Sequence, residues 1–96
     1  MTELERIEKI LKKHMKILKK KFYVKRIGIF GSLSKGKQTP ESDVDILVEL
    51  NGPIGWDFVE LKYFLEEIIG KKVDLVSIKA LKPQLKKNIL NEVIYV

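Results

Sequence analysis

The 96-residue sequence contains no cysteine, one histidine, three prolines and only 8% aromatic residues. Without cysteine it has no disulfide framework, no thiolate metal site and no thiol nucleophile, so a reducing, cytoplasmic setting is expected. No stretch approaches the ~20 apolar residues of a membrane span, and residues 1–22 hold no apolar run long enough for a signal peptide. Secretion and membrane insertion are therefore not expected. The few aromatics do not alternate with basic residues as they do in single-strand nucleic-acid binders.

What is present is charge. Charged residues make up 33% of the chain, with 19 Lys+Arg against 13 Asp+Glu and a formal net charge of +6. Such a balance invites a nucleic-acid reading. However, 17 of the 19 basic residues are Lys, and they are mixed with Glu in a chain with only two Gln and three Asn. That composition is also that of heat-resistant proteins, so tight nucleic-acid binding is not expected. A chain of this length buries on the order of 60% of its unfolded surface, which suffices for one core. Residues 1–96 are thus expected to form a single domain, and any large substrate must bring its own structure.

Apolar residues at helical spacing (Leu4, Ile7, Leu11, Leu18, widened by Ile10 and Ile17) predict one amphipathic helix from Glu3 to about Lys21. His14 falls on that stripe among Lys12, Lys13 and Lys16 with no carboxylate within a turn to orient it, so a packing role is expected. Val24–Phe30 reads as a strand running into Gly31, and a short helical turn is expected over 32–37. Asp43–Leu50 reads as a second strand closed by Asn51-Gly52-Pro53. Phe58, Leu61, Leu65 and Ile68 mark a helix that Asp57 would cap, with Glu60 three residues on, and that Gly70 would end. Lys72–Ile78 reads as a third strand, and a last helix starts near Pro83 and runs toward Ile94-Tyr95-Val96. The fold class expected is α/β (α+β), with a small mixed sheet flanked by helices.

The chemistry concentrates in residues 31–45, GSLSKGKQTPESDVD. Gly31-Ser32 at a strand end offers backbone N–H groups and a hydroxyl suited to a triphosphate. Asp43 and Asp45, two apart on a strand, project from one face, where two like charges are unfavourable without a cation. Hard divalent ions such as Mg²⁺ bind through one or two carboxylates plus phosphate oxygens. Asp74, flanked by Val73 and Leu75, supplies a third acid, read as a buried strand residue needing a partner. Residues 31–37 also satisfy the start of a P-loop, but Gln38 stands where that motif needs Ser or Thr for Mg²⁺, and Thr39-Pro40-Glu41-Ser42 is a turn.

Gly31-Ser32, ten intervening residues, Asp43-Val44-Asp45 and then Asp74 together resemble the minimal nucleotidyltransferases of the DNA polymerase beta superfamily. The resemblance implies a mixed sheet with Asp43, Asp45 and Asp74 as catalytic and metal-ligating residues, two Mg²⁺ (or Mn²⁺) ions, and Gly31-Ser32 holding the phosphates of ATP. Relatives of this size look like antitoxins that transfer AMP from ATP to a tyrosine of a partner HEPN ribonuclease toxin. One departure is Lys35, where the family often has Arg, so a bidentate phosphate contact becomes a point-charge one. An inactive partner-masking member and a small RNA-binding module are the rival readings.

Overall fold

The computed structural model describes residues 1–52, 55 and 57–96. The elements are α1 (Glu3–Lys13), α2 (Met15–Lys21), β1 (Val24–Phe30), β2 (Val44–Leu50), α3 (Asp57–Ile69), β3 (Val73–Ser77), α4 (Pro83–Glu92) and β4 (Ile94–Tyr95). The sheet order is β3-β2-β1-β4. It is mixed: β1 pairs antiparallel with β2 and β4, while β2 and β3 run parallel.

The expected first helix is two helices. Thr2 and Glu5 close a capping box at its start, each side chain answering the other's backbone N–H. The break comes at His14, whose backbone leaves helical geometry (φ −100°, ψ 8°). Its Nδ1–H donates to Ile10 O at 2.8 Å, and its ring stands edge-on to Phe64 with centroids 5.9 Å apart. The His14 backbone N–H still donates to Ile10 O at 3.2 Å, so its side chain shares that carbonyl at the end of α1. The histidine has the packing role expected of it.

Alternation along the strands divides the molecule. Ile27 and Ile29 of β1, Val44, Ile46 and Val48 of β2, and Val73 and Leu75 of β3 join Ile7, Leu11, Leu18, Leu61, Leu65 and Ile69 in one apolar cluster. Among the described residues, no side chain of α4 belongs to that cluster. The helices α1–α3 thus cover one sheet face. Gly28, Asp45, Leu47 and Asp74 alternate with the clustered residues and lie on the other face.

Gly70 ends α3 in the left-handed region (φ +79°), and its N–H donates to Glu66 O at 2.8 Å. Asp57 lies inside α3 rather than capping it. The turn expected at Asn51-Gly52-Pro53 extends to a residue outside those described. The last helix does not run to the end of the chain. It stops at Glu92, and Ile94-Tyr95 pair with Ile29 and Gly28 as an edge strand. A short apolar segment suits either structure, and here the unpaired edge of β1 decides.

Candidate active site

The site forms where β1 ends and β2 begins. Phe30 sits opposite Asp45 in the antiparallel ladder, so the turn leaving β1 lies beside the acids entering β2. Gly31 takes φ +72° there, and a Cβ on it would collide with the Asp45 carboxylate. Glycine meets both conditions without strain.

Residues 31–36 form hydrogen-bonded turns, one of them closed as the helical turn expected. Lys35 N–H donates to Gly31 O at 3.3 Å, Gly36 N–H to Leu33 O at 3.3 Å and Lys37 N–H to Ser32 O at 2.8 Å. Ser34 Oγ–H donates to Gly31 O at 2.9 Å. The N–H groups of Ser32, Leu33 and Ser34 have no hydrogen-bond acceptor among the described residues. Following a left-handed glycine, three unclaimed N–H groups make an anion-binding concavity.

The parallel register between β2 and β3 places Asp74 directly beside Asp45. Asp43 precedes β2 by one residue, so of the three acids expected on strands two are found there. Asp74 is also exposed, not buried: it occupies the open sheet face between the buried Val73 and Leu75. Its partner is therefore another acid, not a buried cation. The consequence falls on Asp45, whose carboxyl is raised from 3.8 to about 6. Burial is the main cause, followed by the charges of Asp74 and Asp43, a hydrogen bond shared with Asp74, and the charge of Glu92.

Among the described residues these acids do not close into a ready-made cage of three ligands. Asp45 and Asp74 instead share a hydrogen bond, and an incomplete set of hard oxygen donors beside free backbone N–H groups matches how Mg²⁺ is held together with phosphate. The residues present therefore fit a divalent ion whose coordination is completed by phosphate oxygens and water.

Sequence reading missed Glu92. This last residue of α4 accepts a hydrogen bond from Gly31 N–H at 3.0 Å and pairs with Lys35 Nζ at 3.0 Å. Lys35 holds its carboxyl below the usual range, with the Gly31 N–H adding to the effect. No local motif announces an acid 61 residues from its partner; only the pairing of β4 with β1 brings it there.

Comparison with known proteins agrees with this arrangement. Residues 11–96 match the model of the nucleotidyltransferase domain family. The chain belongs to that family, whose members typically use a divalent metal. It is a minimal nucleotidyltransferase of the MntA-like kind. It is 45% identical over 97 residues to the protein adenylyltransferase MntA of Thermococcus cleftensis, covering 100% of this chain and 98% of that one. It is 48% identical over 100 residues, with 100% of both chains covered, to MJ1379 of Methanocaldococcus jannaschii, provisionally named a protein adenylyltransferase. The crystal structure of a toxin–antitoxin with AMP-PNP contains a chain that matches at a TM-score of 0.71 and 25% identity, covering 99% of this chain and 72% of that one.

No helix among the described residues is long and apolar enough to cross a membrane.

Proposed function

We propose that residues 1–96 act as one cytoplasmic minimal nucleotidyltransferase domain that transfers AMP from ATP to a tyrosine of a cognate HEPN ribonuclease toxin, neutralising it. The observation that carries this reading is the close approach of Gly31 to Asp45, which sets an unclaimed row of backbone N–H groups beside the clustered acids. A triphosphate seated on those N–H groups lies next to the carboxylates that would hold its counter-ions. The MntA relative, named a protein adenylyltransferase, and the toxin–antitoxin complex with AMP-PNP supply the reaction class and the kind of partner.

Asp43, Asp45 and Asp74 would hold the divalent ions, Mg²⁺ or Mn²⁺, which when bound supply charge neutralisation at the reacting phosphate. The N–H groups of Ser32, Leu33 and Ser34 bind phosphate oxygens, and the Ser32 hydroxyl and Lys35 ammonium add to the seat. The tyrosine oxygen attacks the α-phosphorus in line, and pyrophosphate leaves. Asp74, exposed beside Asp45, is placed to accept the tyrosine proton.

The test is intact-mass spectrometry of the partner after incubation with ATP, Mg²⁺ and this protein. Mass increments of whole AMP units on a tyrosine are expected. A partner silenced without any mass change, equally well by the Asp43→Asn variant, would replace enzymatic transfer with masking by binding.

A further inference from the structure

Helix α4 contributes no buried side chain, yet its last residue reaches into the site. One oxygen of Glu92 takes the Gly31 N–H and the other meets Lys35 Nζ, each at 3.0 Å. The carboxylate therefore bridges both ends of a turn already closed by Lys35 N–H to Gly31 O. Between those ends lie the N–H groups of Ser32, Leu33 and Ser34, which Glu92 does not touch. It holds what flanks the phosphate seat and leaves the seat open.

We propose that Glu92 is a positioning residue for the triphosphate, fixing the 31–35 turn and holding the Lys35 ammonium at its edge. This rests on the reading that the triphosphate sits on that turn. A lysine lacks the rigid fork of arginine and carries its ammonium on a flexible stem. A lysine already held by a carboxylate loses less of that freedom when phosphate arrives. One ammonium donor goes to Glu92 and two remain for phosphate oxygens. At 23% side-chain exposure Glu92 is shielded more than an ordinary surface acid, which strengthens its hold on a lysine that is itself 52% exposed.

The same carboxylate carries a negative charge near Asp45, and a charge that merely competed with phosphate would act in the opposite direction. Calorimetric titration with Mg-ATP reads the sign. Glu92→Gln keeps an acceptor for Gly31 N–H and removes the ion pair, so its Kd is expected to rise about 10-fold, the loss of one charge-assisted contact. The double variant with Lys35→Met should bind no more weakly than Lys35→Met alone, because Glu92 acts through Lys35. In transfer assays the KM for ATP should rise with kcat little changed. An unchanged or lower Kd in Glu92→Gln, or penalties that multiply in the double variant, would overturn the proposal. A fall in melting temperature with unchanged Kd would overturn it equally, as a purely structural tie. Failure of the wild type to bind Mg-ATP would instead remove the nucleotide reading on which it rests.

Discussion

Gly31 sits against Asp45: the glycine takes φ +72°, and a β-carbon there would meet the aspartate carboxylate, which would have to turn aside. The free N–H groups of residues 32–34 and the acid cluster meet at this point, so Gly31→Ala tests the phosphate seat proposed for the one and the metal site proposed for the other. Left-handed strain alone costs about 1–2 kcal/mol for an L-residue. The collision with Asp45 adds to that, so urea unfolding should show a loss greater than the strain alone, and Mg-ATP binding should weaken in parallel. An alanine variant as stable as the wild type would mean that the two segments separate freely.

Substitution of the acids should divide activity from stability. Asp43→Asn and Asp45→Asn are each expected to reduce AMP transfer by roughly 100-fold or more, as removal of a group stabilising transition-state charge does. At neutral pH and without metal, Asp45→Asn should melt higher than the wild type, because it relieves the burial and repulsion that act on Asp45. Activity within threefold of the wild type in either variant would sink the mechanism.

Asp45 also sets a pH dependence for the metal-free protein. Its folded carboxyl titrates near 6 against an ordinary 3.8, so the folded state holds the proton more tightly. The associated stability is fully present below about 3.8 and is lost as pH rises through about 6. Melting curves in EDTA should show an Asp45-dependent decline between pH 4 and 7 that the Asp45→Asn variant lacks. Saturating Mg²⁺ should restore part of the loss at pH 7. Identical pH profiles for the two proteins would show that the cluster is not strained.

Strands and acids were legible because each depends on local pattern. The range Val24–Phe30 read from the sequence is the observed β1, and the register brings Asp45 beside the end of β1 and beside Asp74. What was not legible depends on the rest of the molecule. The break comes at His14, whose side chain meets the Ile10 carbonyl and the Phe64 ring, contacts that helical periodicity does not contain. The strand at Ile94-Tyr95 exists because β1 offers an edge, and Glu92 reaches the site only through that pairing. The exposure of Asp74 was misread because flanking apolar residues bury their own side of a strand, not the residue between them.

That dependence on β4 is open to test at Gly28. A β-carbon there would lie 2.6 Å from Val93 Cγ2 and 3.1 Å from Ile94 O, so the C-terminal strand approaches β1 only because the position is glycine. Overpacking of this kind costs about 1–3 kcal/mol. Gly28→Ala should therefore release the edge strand before the core, and hydrogen exchange should quicken first at Val96, whose N–H donates to Ile27 O at 2.9 Å. Because Glu92 enters the site through the same segment, Mg-ATP binding should weaken as well. Exchange unchanged at Val96 would show that the edge tolerates the methyl group.

The lysines at 9, 12, 13, 16, 19, 20 and 21 are all exposed on α1 and α2, and they raise the question of nucleic acid most directly. Asp45 and Asp74 lie on the sheet face that α1 and α2 do not cover, so these lysines serve a different surface from those acids. A site that neutralises about six phosphates loses roughly 10³-fold or more in affinity between 50 and 200 mM salt. Filter binding with RNA should accordingly show only weak, sequence-blind association that disappears at physiological salt. Tight binding that survives 200 mM salt and falls on Lys→Glu changes at 12, 16 and 20 would move the helical face from solubility or partner contact to RNA recognition.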